Sequence, residues 1–373
     1  MSHKKSVSKK PEIQDPPTGA TDDVYMLRAI QIGKNGLGQT APNPMVGAVI
    51  VNDGRIIGEG FTSAYGGPHA EVNAIHSVKD QSVLPQSTLY VTLEPCSHYG
   101  KTPPCADLIV QTGIPKVVIG IQDPHTKVAG KGMERLKKAG IDVILGVMEA
   151  ECREHHKRFL TFMEKKRPYV VLKWALTTDG FMAPDSTQRS KVPQPFWITD
   201  RHSRQLVHKW RTEEQALLVG TRTVLDDNPK LDARLWKGQS PLRVVLDPLG
   251  AVPQHYHVYD GRIPSLIFTE QDPDLFKIEN ATVVQLPFDK DWPQKVCDHL
   301  YKNQVLSVLV EGGAKTLQAF LDHGLWDEAR VLKGPITFGA GLKAPILKTN
   351  ISSEKKLDGD YLAIYTHDKE HNF

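Results

Sequence analysis

Apolar and polar positions change their period several times along this chain, and each change predicts an element. VGAVIV and RIIGEG are apolar runs that bracket Asn52-Asp53-Gly54, turn chemistry that predicts a β-hairpin. Asp22 is placed to cap a helix that reaches Gln31. In HAEVNAI, residues Ala70, Ala74 and Ile75 form a stripe behind Pro68, so a helix is predicted to start at His69. STLYVTLE, residues 87–94, alternates and is β-rich; it reads as a strand that delivers Cys96 at its end. Cys105 opens a second apolar helical run, ADLIV. KVVIGI, a helix over 131–139 and IDVILGV then complete an α/β layer. A charged helix over 149–166 runs into Arg167-Pro168, where proline ends it.

Beyond that proline the pattern restarts. Residues 168–180 form a β-rich run closing on Asp179-Gly180, and LRVVLD, SLIFT and SVLVEGG alternate with helical stretches such as 201–210, which predicts a largely parallel sheet. YLAIYTH, near the end, reads as an edge strand. No G-x-G-x-x-G follows a strand, so the Rossmann dinucleotide fingerprint is absent. At 373 residues the chain exceeds what one core supports. Two α/β domains are expected, over 21–166 and 167–373, after an extension at 1–20 that reads as disordered.

Composition narrows the function class. With 40% hydrophobic and 24% charged residues, both domains are expected to be ordinary globules. A net charge of +3 is too small to imply nucleic-acid binding, and no apolar run approaches the ~20 residues of a membrane span. The basic, polar first twenty residues lack the apolar core of a secretory signal, and four cysteines suit a reducing cytoplasm. Clustered cysteine and histidine then mean metal or catalysis.

His69, Cys96 and Cys105 are such a cluster. One histidine and two cysteines can hold zinc through three ligands and leave the fourth tetrahedral position to water. Glu71 lies about 200° around the helix from His69, yet first-turn side chains can converge ahead of a helix, which brings it within reach of that water. The metal would sit between two helix N-termini. Two alternatives stand beside this: a structural zinc with His98 or Cys152 as fourth ligand, and a Cys96–Cys105 disulfide. Cys152 and Cys297 read as isolated thiols.

H-A-E, then P-C, then a later cysteine match the zinc nucleobase deaminases. Most of these have C-x-x-C, whereas this chain reads PCSHYGKTPPC. With TAPNPMVGAVIV before it, the longer interval resembles the bifunctional deaminase/reductase family of riboflavin biosynthesis. The resemblance implies an N-terminal cytidine-deaminase-like three-layer α/β/α domain and a C-terminal dihydrofolate-reductase-like α/β domain. It implies one zinc per chain and hydrolytic deamination of 2,5-diamino-6-(5-phosphoribosylamino)pyrimidin-4(3H)-one, with Glu71 moving the protons. NADPH-dependent reduction of the ribosyl chain would follow, giving 5-amino-6-(5-phosphoribitylamino)uracil. Asn43, His98 and Lys101 fall on its deaminase substrate positions. In the second half Ala175, Trp197, Thr223, Asp227 and the segment Gly313, Ala314, Lys315 and Thr316 fall where the family touches NADPH; Arg211, Leu231, Arg234 and Glu311 fall on substrate positions. Two arginines suit a ribose phosphate. The family also suggests dimers or tetramers. A monofunctional nucleoside or nucleotide deaminase with a degenerate appendage, or a zinc-stabilised binding protein without turnover, are the competing functions.

The chain departs from that pattern between Met182 and Trp197, where APDSTQRSKVPQPF is enlarged and Pro195 stands in place of a substrate-contacting serine. Proline offers neither hydroxyl nor N–H. Either a neighbour such as Ser190 replaces the contact or it is lost. Thr177-Thr178 stands where Ser-Leu is more usual.

Overall fold

A computed structural model describes residues 18–99, 103–124 and 130–367. It divides into two compact units: one comprises the described residues up to 35 together with 45–155, the other 36–44 and 156–367. The unit border thus falls at 155/156, ahead of Arg167-Pro168.

The first unit runs α1 (Thr18–Gly33), β1 (Gly47–Asn52), β2 (Arg55–Phe61), α2 (Ala70–Ser77), β3 (Thr88–Leu93), α3 (Cys105–Thr112), β4 (Lys116–Ile121), α4 (Lys131–Lys138), β5 (Asp142–Leu145) and α5 (Glu149–His155). Its sheet has the order β2-β1-β3-β4-β5, antiparallel on the β2 side of β3 and parallel beyond it. β1, β3 and β4 are buried almost throughout, as strands covered by helices on both faces must be. Between paired Asn52 and Arg55, both Asp53 (φ 46) and Gly54 (φ 71) take left-handed backbone, the conformation of a two-residue hairpin turn. Asp22 is not a cap, because it lies inside α1, which spans Thr18–Gly33. Asp22 instead accepts a 2.6 Å hydrogen bond from the Tyr90 hydroxyl of β3.

The single charged helix expected over 149–166 is two, α5 and α6 (Lys157–Lys165), broken at His156. The second unit continues with β6 (Tyr169–Leu176), β7 (Phe181–Pro184), α7 (Arg201–Glu213), β8 (Ala216–Gly220), α8 (Thr221–Asp227), β9 (Leu242–Leu246), β10 (Ser265–Thr269), β11 (Ala281–Gln285), α9 (Trp292–Lys302), β12 (Ser307–Val310), α10 (Ala314–Asp322), β13 (Glu328–Lys333), β14 (Gly341–Lys343), β15 (Ser353–Leu357) and β16 (Asp360–Thr366). Nine strands form one sheet in the order β11-β10-β9-β8-β12-β6-β13-β16-β15. Neighbours from β11 to β13 are parallel, and β16 and β15 are added antiparallel. Alternate residues feed two cores: Leu172, Val308 and Val310 pack with Phe268 and Phe320 on one face, and Val171, Leu217 and Leu309 with Val245 and Ile267 on the other. YLAIYTH is therefore not an edge. β16 pairs with β13 and β15, and the exposed edge is β15, SEKKL, whose charges discourage further pairing. Among the described residues no helix is long and apolar enough to cross a membrane.

Candidate active sites

Three elements of the first unit converge on one point. His69 is the N-cap of α2, Cys96 follows β3, and Cys105 is the first residue of α3. The His69 Nδ1 lies 3.7 Å from Cys96 Sγ and 3.4 Å from Cys105 Sγ. A tetrahedral zinc with Zn–S and Zn–N bonds of ordinary length would set such separations at about 3.6 Å, so the donor set fits the ion. These are the histidine and cysteine ligands expected from the sequence, and among the described residues no fourth His, Cys, Asp or Glu joins them. Exposed His98 and buried Cys152 stand apart, which disfavours a four-ligand structural site. All four cysteines are free thiols, so the Cys96–Cys105 disulfide is not formed.

Electrostatics suit the same reading. A hydrogen bond from Cys105 draws the Cys96 thiol down to about 4, and the Cys105 backbone N–H donates to Cys96 Sγ at 3.2 Å. The thiolate thus sits at a helix N-terminus, where it is favoured. Glu71, in the first turn of α2, is buried, and burial raises its carboxyl to about 7, with the negative Cys96 adding to the rise. A carboxyl poised near neutrality can both take and return a proton.

A residue the sequence reading passed over holds this loop. Glu94 is buried at the end of β3 and accepts four backbone N–H bonds: Asp123 (3.2 Å) and Gly130 (3.0 Å) on Oε2, Gly132 (2.9 Å) and Met133 (3.2 Å) on Oε1. Three of these donors belong to the start of α4, which is thereby tied to the strand that carries Cys96. The signal available in the sequence was a carboxylate inside an otherwise apolar strand end.

The second unit has a cleft of roughly 560 Å³. Ala175, Trp197, Thr223, Asp227, Gly313 and Ala314 line it, as do Arg211, Leu231, Arg234 and Glu311. Gly313 (φ 73) caps α10 directly after β12, and Thr223 Oγ1 lies against the Gly312 backbone, so strand, turn and helix are set close together. Lys315 is exposed and Thr316 is buried beneath Gly220; neither lines the cleft. Ser190 is exposed and its Oγ accepts the Val192 N–H, while Pro195 faces the cleft with no polar side-chain atom.

Arg211 and Glu311 form one pair rather than two free ligands. Nε donates to Oε1 at 2.7 Å and Nη2 to Oε2 at 2.7 Å, while Nη1 donates to the Asp232 carbonyl at 2.9 Å. Lys173, on β6, stands 3.9 Å from the same carboxylate. Although burial opposes it, the neighbouring Arg211 and Lys173 charges hold Glu311 down at about 2. Asn43 lies in the segment that groups with the second unit, and its backbone N–H donates to the Thr40 carbonyl at 2.9 Å. Lys101 lies outside the described residues.

Comparison with known proteins assigns both units. Residues 20–121 match the cytidine and deoxycytidylate deaminase zinc-binding region, and residues 168–360 match the RibD C-terminal domain. The riboflavin biosynthesis protein RibD of Aquifex aeolicus (strain VF5) is 40% identical over 324 residues, 86% of this chain and 89% of that one. The chain belongs to the RibD family. RibD of Escherichia coli (strain K12) is 37% identical over 335 residues, again 86% of this chain and 89% of its own. The crystal structure of the diaminohydroxyphosphoribosylaminopyrimidine deaminase/5-amino-6-(5-phosphoribosylamino)uracil reductase of Thermotoga maritima superposes with a TM-score of 0.83 at 40% identity, covering 93% of this chain and 98% of that one. Acinetobacter baumannii RibD does so with a TM-score of 0.83 at 34% identity, covering 93% and 99%. This RibD-family chain is a bifunctional enzyme of riboflavin biosynthesis, a zinc-binding deaminase joined to a reductase. Its α/β architecture is a cytidine-deaminase-like unit followed by a dihydrofolate-reductase-like one.

Proposed function

We propose that His69, Cys96 and Cys105 hold the zinc, that Glu71 is the proton carrier of the deaminase, and that the cleft lined by Arg211, Glu311 and Thr223 is the reductase site. The observation that carries the first part is the convergence of three ligand atoms beside one buried carboxyl. Bound zinc supplies Lewis acidity that brings water near ionisation at neutral pH. Glu71 accepts the proton that water gives up and returns protons to the ring nitrogen and the departing amine. The balance is one amidine carbon and one water converted to a carbonyl and ammonia.

In the second unit bound NADPH supplies hydride to the ribose C1, opened as an aldehyde-like or imine form. The chain's part is positioning. The Arg211–Glu311–Lys173 network fixes one wall, and Arg234 offers a cation for the substrate phosphate. Arg211 itself contributes through Glu311, since both its terminal nitrogens and its Nε are engaged. Asn43, His98 and Lys101 remain the proposed contacts of the deaminase substrate. Gly313 and Ala314 line the cofactor wall, with Lys315 and Thr316 completing that turn. Assembly into dimers or tetramers belongs to the same reading on family resemblance alone, and sedimentation velocity tests it. Buried free Cys152 and Cys297 accord with a reducing cytoplasm.

The test is to follow ammonia release and NADPH oxidation separately, in wild type and in Glu71→Gln. Wild type is expected to show both. The variant, given the deaminated intermediate, should retain NADPH oxidation while ammonia release falls by about 10²–10⁴. Unchanged ammonia release would remove Glu71 from the mechanism.

A further inference from the structure

The enlarged segment after Met182 forms one wall of the reductase cleft, with Pro193, Gln194, Pro195 and Phe196 lining it. It docks on α8: the Gln194 N–H donates to the Asp226 carbonyl at 3.1 Å, and Arg189 reaches the carboxylates of Asp226 (Nη1, 3.3 Å) and Asp227 (Nη2, 2.6 Å). The Arg189 side chain is 18% exposed and lines the cleft. Its two terminal nitrogens meet the carboxylates one each, which leaves the Nε edge and the second hydrogens of both nitrogens outside those bonds.

That arrangement differs from the other arginines there. Arg211 has its whole fork committed to Glu311 and the Asp232 carbonyl. The Arg204 guanidinium carbon sits over the Trp197 ring, 4.5 Å from its centroid, Arg222 is 74% exposed, and Arg234, 43% exposed, gives Nη1 to the single carboxylate of Asp232. Pro195 brings no hydroxyl. A guanidinium anchored by two carboxylates, partly desolvated and with donors to spare, is the arrangement that presents a planar fork to a phosphate.

Resting on the reading of this cleft as the reductase site, we propose that Arg189 is a specificity-determining residue that recognises a phosphate monoester in the cleft, with Asp226 and Asp227 holding it in position. Two ligands of this enzyme carry such a group, the 2′-phosphate of NADPH and the 5-phosphate of the ribosylaminouracil. They are distinguished by pairing each with its counterpart lacking the phosphate.

The experiment measures NADPH and NADH dissociation constants by dihydronicotinamide fluorescence, and the KM of the phosphorylated and dephosphorylated uracil substrates, in wild type, Arg189→Ala and Arg189→Lys. Loss of a charge-assisted contact should weaken one phosphorylated ligand by about tenfold to a hundredfold in Arg189→Ala, leave its dephosphorylated counterpart within about twofold, and be partly restored in Arg189→Lys. A change confined to NADPH assigns the cofactor phosphate; one confined to the substrate pair assigns the substrate phosphate. If Arg189→Ala alters both members of each pair equally, or neither, Arg189 does not read phosphate. Wild type that binds neither nucleotide would instead overturn the reductase reading itself, and the calorimetric unfolding midpoint of the second unit reports separately that each variant is folded.

Discussion

Arg211 of α7 and Glu311, just after β12, are joined by two parallel hydrogen bonds of 2.7 Å each, across a hundred residues of sequence. Lys173 completes a largely buried group of two cations on one carboxylate. Removing one partner of a buried pair costs about 3–5 kcal/mol, because the other charge is left without compensation. Glu311→Gln is therefore expected to lower the unfolding midpoint of the second unit and abolish NADPH oxidation, with ammonia release retained. Arg211→Lys keeps the charge but loses the fork and should cost less. Calorimetry beside the two separate assays checks this; a Glu311→Gln protein with wild-type stability would show that the pair carries no net energy.

His208, one turn before Arg211 and buried beside it, links the stability of the second unit to pH. Burial, with Arg211 and Arg234 adding, pushes its pKa down from 6.5 to about 4. The unfolded chain therefore binds the proton first, and stability falls as pH drops from about 6.5 toward 4. Glu311, held at about 2 against an ordinary value of 4.5, extends the loss to lower pH as its ion pair is protonated. Urea unfolding at a series of pH values should show the decline beginning near 6.5, and His208→Gln should flatten its upper part. An unchanged profile in that variant would mean another group governs the transition.

Where chemistry is local, the sequence was readable. Asp53-Gly54 demands left-handed backbone at both residues and obtains it, and His69, Cys96 and Cys105 meet because two helix starts and one strand end are each signalled by their own neighbours. Where the answer depends on what lies across the fold, it was not. YLAIYTH carries no mark of which strands flank it, so the choice between edge and interior is decided by the SEKKL hairpin partner. Asp22 has the residue type of a cap, but Tyr90 and a place inside α1 decide its role. Arg211 has the chemistry of a phosphate clamp, and only the fold reveals that Glu311 already occupies its fork.

Glu94 offers the last and most demanding case, since its carboxylate bonds to backbone N–H groups rather than to any of the three proposed zinc ligands. Its carboxylate accepts four backbone N–H bonds, three from the start of α4, and α4 presses so closely on this loop that a side chain at Gly132 would place Cβ 2.1 Å from the Pro95 carbonyl oxygen. Cys96 follows directly on Pro95, so the anchoring of Glu94 sets where Cys96 can sit. Glu94→Gln keeps the shape but turns an NH₂ toward backbone donors, which leaves buried N–H groups unpaired at about 1–3 kcal/mol. Loosening a support of this kind typically weakens metal binding by about tenfold to a hundredfold. Zinc affinity measured against a chelator should fall by that factor, and the visible absorption of the cobalt-substituted protein should change as the Cys96 thiolate shifts, while NADPH oxidation in the second unit stays as in wild type. A variant that is less stable yet binds zinc as tightly as wild type, with the same cobalt spectrum, would restrict Glu94 to anchoring α4.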